Sequence, residues 1–316
     1  MLDFQRLRVL REFARRGTIA ATAQALGYTA SAISQQLASL EREIGTALLD
    51  RHARSVELTD AGRRLLGHAD GILSAVEAAE SDVAAAAGEA AGQITVTAFP
   101  SAAVAFAPRL AGGLRPHRRV QLVLRQAAGA VGTRRVSTGD ADVALAEGWS
   151  GSVPDSLGGR LRVRRLLRDP LVLAVPKRHR LADPERPVEL AALLDESWIV
   201  APPGEPSRGG IEQLLAPYGG APAAAWEFEG QGTILSLVAR GIGIAAVPSL
   251  ALALRTGGVR FRQLPEDVPV RDIYSVVRTA SIERPSVAVT LKVLADAATT
   301  VERELSSLLE SRNGAR

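Results

Sequence analysis

Residues 29 to 45 constrain the fold most strongly, because their apolar side chains repeat with the period of an α-helix. Four apolar residues recur there at intervals of four, three and four positions, namely Ile33, Leu37, Leu40 and Ile44. This spacing places them within about 40° of one another on a helical wheel, so we expect a buried stripe. The opposite side of the wheel carries no carboxylate, and its residues are Ser31, Gln35, Ala38 and Arg42.

Two shorter helical patterns precede this helix. The first is predicted to end at Gly17, and the second to run from a Thr18 cap to Gly27, while Thr29 caps the third helix. The short Gly-Tyr connection before Thr29 makes the whole a helix-turn-helix pattern. An exposed face of short polar residues and one arginine suits the major groove of DNA, where carboxylates would meet phosphates. A merely solvated helix face is the alternative interpretation.

Charge is concentrated in the same part of the chain. Residues 1 to 64 hold ten arginines and seven acids, a surplus of three within an overall net charge of +4. Residues 48–49 and 56–58 are predicted to form a small two-stranded wing around a basic turn, which brings Arg51 and Arg54 towards backbone phosphates. This basic surplus favours a polyanionic partner.

A long helix is predicted to follow, capped by Thr59. Small or apolar residues recur there at steps that alternate between four and three positions, over about three heptads. These residues are Leu65, Ala69, Ile72, Val76, Ala79, Val83 and Ala86. The pattern predicts a coiled-coil homodimer held by Leu65, Ile72, Val76 and Val83. The alternative is a helix that packs on its own domain. Residues 88–92, Gly-Glu-Ala-Ala-Gly, are predicted to be a hinge.

From Gln93 onwards, short β-rich segments alternate with helical segments. The alternation predicts α/β units with largely parallel sheets, arranged as two small lobes. Strands are expected at 93–99, 120–126, 141–147, 171–176, 197–202, 224–229, 242–248 and 272–277, and helices at 103–114, 209–219 and 233–241, with a closing helix that ends near 309.

Several functional classes are excluded by residue content. The chain has no cysteine, and its four histidines lack metal-site spacing. Gly241 and Gly243 resemble half of a dinucleotide fingerprint, but they lie between a helix and a strand, so we expect a helix end and a tight strand entry. We therefore predict a protein that is not an enzyme and needs no cofactor or metal. Without a signal-peptide or membrane-span pattern, we expect it to be soluble and cytoplasmic.

A family resemblance extends over nearly the whole chain. The segment FARRGTIAATAQALGYTASAISQQLASLEREIGTALLDRHARSVELTDAG resembles the DNA-binding domain of LysR-type transcriptional regulators, including its L-x-R wing and LT-x-AG helix start. LLRDPLVLAVPKRHRLA and LVARGIGIAAVP are similar to the effector-binding domain of that family. The resemblance implies an α/β protein with a winged helix-turn-helix at 1–60, a linker and dimerisation helix at 61–91, and a periplasmic-binding-protein-like (type II) effector domain of two α/β subdomains at 92–310.

The resemblance also implies roles for particular residues at the DNA. By the family pattern, the residues facing the groove or phosphates are Thr29, Ala30, Ser31, Ser34 and Gln35, with Arg51 and Arg54 in the wing. Ala30 departs from the Gln or Pro that is common in the family, which leaves Gln35 and Arg42 more important. Leu49 stands where the family usually has an aromatic residue.

An effector site is expected between the two lobes. Helix N-termini that follow strands point into such a crevice and favour an anion, and Ser101 and Thr233 each open a helix of this kind. The alternative is that both residues only cap their helices. The predicted effector-binding residues are Ser101, Ala102, Glu147, Trp149, Pro203, Gly204, Gly232 and Thr233.

The expected partners follow from these assignments. They are double-stranded promoter DNA, a small anionic effector, a second copy of the chain in a homodimer or homotetramer, and RNA polymerase as a further candidate. Two alternative functions are a solute-binding protein and an architectural DNA-binding protein without effector control. The intact helix-turn-helix pattern argues against the first, and the α/β region of about 200 residues argues against the second.

Overall fold

A computed structural model describes residues 2–52, 56–86, 90–220, 226–264 and 268–314. Contacts divide the chain into two units. One comprises residues 1–88 with 138–140, and the other comprises residues 89–137 with 141–316. None of the helices in the described ranges combines the length and apolar character that a membrane span requires.

The first unit is a three-helix domain with a two-stranded wing and one long helix. Its elements are α1 (Phe4–Arg16), α2 (Ile19–Leu26), α3 (Ala30–Ile44), β1 (Leu49–Arg51), β2 (Val56–Leu58) and α4 (Asp60–Ala86). β1 and β2 pair antiparallel, as the wing prediction required.

The predicted helix ends are confirmed by their capping geometry. The Thr18 and Thr29 hydroxyls each accept a hydrogen bond at 3.2 Å, from the amides of Ala21 and Ala32 respectively. Gly17 and Gly27 adopt left-handed conformations with φ of 74° and 70°, which glycine reaches without steric cost. These caps fix the angle at which α3 leaves the turn.

The core of the first unit is built by the apolar stripe of α3. Ile33, Leu37 and Leu40 are fully or almost fully buried, as predicted. The prediction for Ile44 is wrong, because this side chain is 38% exposed. Ile44 is the last residue of α3, and the core ends at Leu40 along this helix.

The long helix α4 completes the same core with its first half. Thr59 caps it, accepting a hydrogen bond from the amide of Gly62 at 3.0 Å. Ala69 and Leu73 are buried in the core, and the half-buried Leu65 and Ile72 pack against it. The alternative interpretation, a helix that lies on its own domain, therefore describes the first half of α4.

The second unit is an α/β domain. Its strands are β3 (Gly92–Ala98), β4 (Val120–Gln126), β5 (Val143–Trp149), β6 (Leu161–Pro176), β7 (Ile199–Val200), β8 (Trp226–Glu227), β9 (Ala245–Pro248), β10 (Val259–Gln263) and β11 (Val270–Arg278). Its helices are α5 (Pro100–Leu114), α6 (Gly129–Ser137), α7 (Pro206–Leu215), α8 (Gln231–Ala239) and α9 (Pro285–Gly314).

The main sheet of this unit is mixed, so the prediction of largely parallel sheets is wrong. Its order is β10-β6-β11-β5-β3-β4, with β9 also paired to β6. β3 is parallel to β4 and β5, whereas β11 is antiparallel to β5 and β6, and β6 is antiparallel to β9 and β10. Alternating strands and helices indicate an α/β fold, but they do not reveal the direction of strands that cross between lobes.

β6 is the strand that joins the two lobes. Residues 161–170 pair with β11 beside the first lobe, and residues 171–176 pair with β9 and β10 in the second lobe. The sequence predicted a strand only at 171–176, the second half of β6. Exposed arginines interrupt the apolar pattern in the first half of this strand. β10 was missed altogether. β6 and its neighbour β11 each carry a buried charged residue, Asp169 and Arg271, next to the point at which β6 changes its pairing partners.

One glycine shows how closely the second lobe packs. A Cβ on Gly243 would lie 2.4 Å from the carbonyl oxygen of Ser197, so no larger residue fits there. Gly241 ends α8 with φ of 79°. Both observations agree with the predicted helix end and tight strand entry at 241–243.

Candidate DNA-binding surface and candidate effector site

The exposed face of α3 carries polar residues. Thr29, Ala30, Ser31, Gln35 and Arg42 are exposed, while Ser34 and Ala38 are half-buried. The Ser31 and Thr29 hydroxyl oxygens lie 3.0 Å apart. Arg42 folds back along its own helix, and its Nη2 donates to the Ser39 hydroxyl at 2.8 Å.

Both carboxylates of α3 are held away from this face. Glu41 Oε1 accepts hydrogen bonds from the amides of Leu48 and Leu49 at 2.9 and 3.0 Å, which anchors the wing. Glu43 forms an ion pair with Arg6 of α1. The side of the helix that carries Ser31 and Gln35 therefore presents donors and acceptors without a fixed negative charge.

The wing is less uniformly basic than the sequence suggested. Arg51 is exposed, with its Nη2 3.8 Å from Glu41 Oε2, and Arg54 lies outside the described residues. Asp50 and Glu57 pair across the wing, and both are exposed. These two acids share one side of the hairpin, so phosphate contacts are expected on the side of Arg51.

The predicted dimerisation residues divide into two groups along α4. Leu65 and Ile72 contact the core of their own unit. Val76 is half-buried, and Val83 is 75% exposed. Among these four residues, the two in the second half of the helix are the ones that lie outside the core of their own unit.

In the second unit, two predicted effector residues meet at an arginine that the sequence analysis did not single out. Arg271 of β11 is buried, and its Nη2 donates to the Ser101 hydroxyl at 3.1 Å. Its Nη1 donates to Glu147 Oε2 at 3.0 Å. Arg271 therefore links the start of α5 to the end of β5.

Asp169 of β6 is the principal partner of this arginine, and the sequence analysis did not single it out either. Its Oδ2 accepts from Arg271 Nε at 2.8 Å and from Nη2 at 2.6 Å. Its Oδ1 accepts from the Ser249 hydroxyl at 2.8 Å and from the Leu250 amide at 2.7 Å. Both carboxylate oxygens are thus fully used, and the cluster extends from the first lobe to the second.

Aromatic rings enclose the same guanidinium group. Its Cζ lies 4.9 Å from the centroid of the Phe99 ring and 6.0 Å from that of Trp149, distances at which a cation is attracted to a ring face. The Trp149 ring also packs on α7, where a Cβ on Gly210 would lie 3.1 Å from it. Trp149 therefore contacts both lobes.

Two buried polar atoms near these elements have no hydrogen-bond partner among the described residues. They are the indole Nε1 of Trp149 and the amide Oε1 of Gln231, the first residue of α8. Buried polar groups are normally paired, so each of these two atoms has an unused capacity for a hydrogen bond. Trp149 supplies a donor, and Gln231 supplies an acceptor.

Among the described residues, no hydrogen bond, ion pair or ring contact joins the remaining predicted effector residues to the Arg271 cluster. Ala102 is buried in α5, and Pro203, Gly204, Gly232 and Thr233 are exposed. Two cavities of about 480 and 590 Å³ lie between α5 and α9, and neither is lined by Ser101, Glu147 or Trp149. Of the eight predicted residues, the structure therefore brings Ser101, Glu147 and Trp149 together around Arg271.

Two titratable groups of the second unit, Arg208 and Tyr274, have raised pKa values. Arg208 of α7 donates to Glu227 and Glu212, and these hydrogen bonds raise the pKa of its guanidinium group. Burial is the main reason that the pKa of the Tyr274 phenol is raised, with a smaller contribution from Asp272. Both groups therefore keep their protons at neutral pH.

Arg271 and Asp169 each carry a signal in the sequence. Each is a charged residue beside or within an apolar strand, in VPVRDIY and LLRDPLV. A charge within a buried strand needs a partner of opposite sign. This rule marks both residues as buried charges that need partners, but it does not say which charge pairs with which.

Family models match both units of the chain. Residues 4–63 match the model described as a bacterial regulatory helix-turn-helix protein of the lysR family, and residues 87–299 match the LysR substrate binding domain. The chain belongs to the LysR family of transcriptional regulators. This membership confirms the predicted fold class and identifies a DNA-binding regulator with an effector-binding domain, not an enzyme.

Two bacterial transcriptional regulators are similar to this LysR-family regulator in sequence. It is 31% identical to the HTH-type transcriptional regulator ShiR of Corynebacterium glutamicum, over 70% of this chain and 74% of the relative. It is 29% identical to the regulator CfxR of Cupriavidus necator, over 89% of this chain and 86% of the relative.

Solved structures share the fold of the LysR-family regulator. A full-length OxyR variant from Pseudomonas aeruginosa superposes with a TM-score of 0.74 at 20% identity, covering 96% of this chain and 97% of OxyR. Full-length CbnR in complex with its target DNA gives a TM-score of 0.62 at 23% identity, covering 94% of this chain and all of CbnR.

Proposed function

We propose that this LysR-family regulator recognises promoter DNA through α3, and that a small organic acid bound beside Ser101 and Arg271 controls this recognition. The observation that carries the DNA assignment is the exposed face of α3. Ser31 and Gln35 project there, and both helix carboxylates are bound elsewhere. A glutamine amide can form two hydrogen bonds with an adenine edge, which makes Gln35 the proposed base-contacting residue.

The acid is proposed to bind at the first turn of α5. This helix begins at Pro100, so the amides of Ser101 and Ala102 lie where no intrahelical carbonyl is available to them. The Ser101 oxygen accepts from Arg271, which leaves its hydroxyl proton to be donated to a ligand. Ala102 would then act through its backbone, and Thr233 in the first turn of α8 would donate from the second lobe.

Control of DNA binding is proposed to work through the arrangement of the two lobes. An acid that contacts both α5 and α8 stabilises one arrangement over others, and it shifts the population without touching DNA. The predicted domains, 1–60, 61–91 and 92–310, divide these tasks among DNA binding, dimerisation and effector binding. The site of action is the cytoplasm, and RNA polymerase is the proposed downstream partner.

Self-association is proposed to use the second half of α4. Val76 and Val83 are the seam residues that the unit leaves partly or largely open. Two copies joined there would present two α3 helices to paired half-sites. A homodimer is the proposed DNA-binding form, and a homotetramer would be a pair of such dimers.

A gel-shift assay tests the effector part of this proposal. The full chain is titrated onto DNA from upstream of its own gene, with succinate, glutarate, 2-oxoglutarate, benzoate or salicylate added. We expect at least one acid to change the DNA affinity of the wild type and of the exposed control Ser307→Ala, but not of Ser101→Ala. If every acid leaves the affinity unchanged, or acts equally on Ser101→Ala, the organic-acid proposal is wrong.

A further inference from the structure

The charges of the Arg271 cluster do not balance. One guanidinium group, that of Arg271, faces two carboxylates, those of Asp169 and Glu147. Asp169 is completely buried, and both of its oxygens are saturated by four hydrogen bonds. Asp169 alone therefore neutralises Arg271, and Glu147 has no cation of its own within the cluster, although its Cγ lies near the first residue of α6, where a Cβ on Gly129 would be 3.7 Å away.

Glu147 is also the member of the cluster that can be reached by a ligand. Its side chain is 22% exposed, against 5% for Arg271 and 0% for Asp169. Oε2 contacts Arg271, whereas Oε1 has no hydrogen bond to any of the described residues. A carboxylate oxygen of this kind accepts a hydrogen bond most strongly from a positively charged donor.

A complementary donor lies two residues further along the same strand. Residues 147 and 149 of β5 share one face of the sheet, with Cα atoms about 6–7 Å apart. The buried Trp149 Nε1 has no partner among the described residues, so it can donate to an acceptor on a ligand. One face of β5 therefore offers an acceptor for a cation and, beside it, a donor for an anion.

We infer that the effector is a zwitterion of the amino-acid type, with an ammonium group bound by Glu147 and a carboxylate bound by Trp149 Nε1 and the first turn of α5. This inference rests on the proposed effector site. A simple carboxylate placed there would meet the uncompensated charge of Glu147. An added ammonium group removes that repulsion and gives the cluster its missing positive charge.

Calorimetry on the full chain tests the assignment. The twenty standard L-amino acids are screened, and each hit is compared with its deaminated carboxylic acid and its decarboxylated amine. We expect an amino acid to bind at least about tenfold more tightly than either matched analogue. Glu147→Gln should weaken that binding about tenfold, because it removes the charge and keeps the shape.

Two further variants separate this role from a structural one. Glu185→Gln, which removes an exposed negative charge from the same unit, should bind like the wild type. Trp149→Phe keeps the ring and removes the donor, so it should weaken the amino acid and the deaminated acid equally. The melting curve of unliganded Glu147→Gln should match that of the wild type, because this variant leaves the Arg271–Asp169 pair neutral and intact.

The outcomes also distinguish this inference from the proposed function. If deaminated acids bind as tightly as amino acids and Glu147→Gln has no effect, the zwitterion inference is wrong and the organic-acid proposal stands. If neither amino acids nor carboxylic acids bind, both fail. If amines without a carboxylate bind best, Glu147 is a cation site and the carboxylate contacts assigned to Trp149 and α5 are wrong.

Discussion

Arg271 and Asp169 form a buried ion pair between two neighbouring strands, β11 and β6, and the two residues are directly paired in the sheet. Nε and Nη2 of the arginine lie 2.8 and 2.6 Å from Asp169 Oδ2, and the two side chains are 5% and 0% exposed. The pair joins β11 to β6 and is extended to α5 by Ser101. The proposed effector site is therefore built on a rigid, buried charge pair.

Removal of the arginine should destabilise the protein strongly. Arg271→Met leaves Asp169 as a buried carboxylate without a cation, and loss of one partner of a buried pair typically costs about 3–5 kcal/mol. Urea denaturation of the full chain, followed by tryptophan fluorescence, measures this loss. All three tryptophans, Trp149, Trp198 and Trp226, lie in the second unit.

An arginine of the same unit whose ion pair is exposed on both sides provides the control. Arg186 is 78% exposed and lies 3.4 Å from Asp183, which is 44% exposed, so Arg186→Met should cost less than about 1 kcal/mol. Equal losses for the two variants would contradict the assignment of Arg271 as the neutralising partner of Asp169.

The two halves of α4 should respond differently to a new charge. Val83→Glu should weaken self-association at least about tenfold, because a dimer would bury two carboxylates, while leaving the stability of the monomer unchanged. Ile72→Glu should also lower the unfolding free energy, by about 1–3 kcal/mol, because Ile72 packs on its own core. Analytical ultracentrifugation and urea denaturation separate the two effects. Wild-type behaviour of Val83→Glu in the centrifuge would rule out the α4 seam as the interface.

Contact between the wing and DNA phosphates should appear as a salt dependence. Each phosphate that a protein cation neutralises releases counterions, so Arg51→Ala should reduce the slope of log K against log salt by about one. Fluorescence anisotropy over a series of KCl concentrations measures this slope. Arg186→Ala, an exposed arginine of the second unit, should leave it unchanged. An unaltered slope for Arg51→Ala would place the wing away from the backbone.

The DNA-binding unit could be predicted closely from the sequence because its signals are local. Threonine caps, glycine helix ends and a stripe with helical period each act within a few residues, and all were recovered except the burial of Ile44. The seam of α4 was harder to interpret. The same heptad pattern is compatible with packing against a partner helix and with packing against the core of the same domain. The sequence alone does not show that Ile72 packs on its own core whereas Val83 is exposed.

The effector region was predicted less completely because its defining contacts are long-range. The sequence identified Ser101, Glu147 and Trp149, which lie at strand ends and helix starts. It did not identify Arg271, which is 170 residues from Ser101 and 102 from Asp169. The prediction of largely parallel sheets was wrong for the same reason. β6 and β11 are paired although they are about 100 residues apart in the sequence, and local hydrophobic periodicity carries no information about such long-range pairing.

The central claim, that the exposed face of α3 recognises DNA, is tested most directly by the affinity of Gln35→Ala for specific and nonspecific DNA. Gel shifts of the full chain are compared on the upstream fragment and on a scrambled fragment, with the exposed Gln263→Ala of the second unit as the control. We expect Gln35→Ala to lower specific affinity by about 1–3 kcal/mol, roughly 5- to 150-fold, with unchanged nonspecific affinity. Specific binding equal to that of the wild type and of Gln263→Ala would contradict the account.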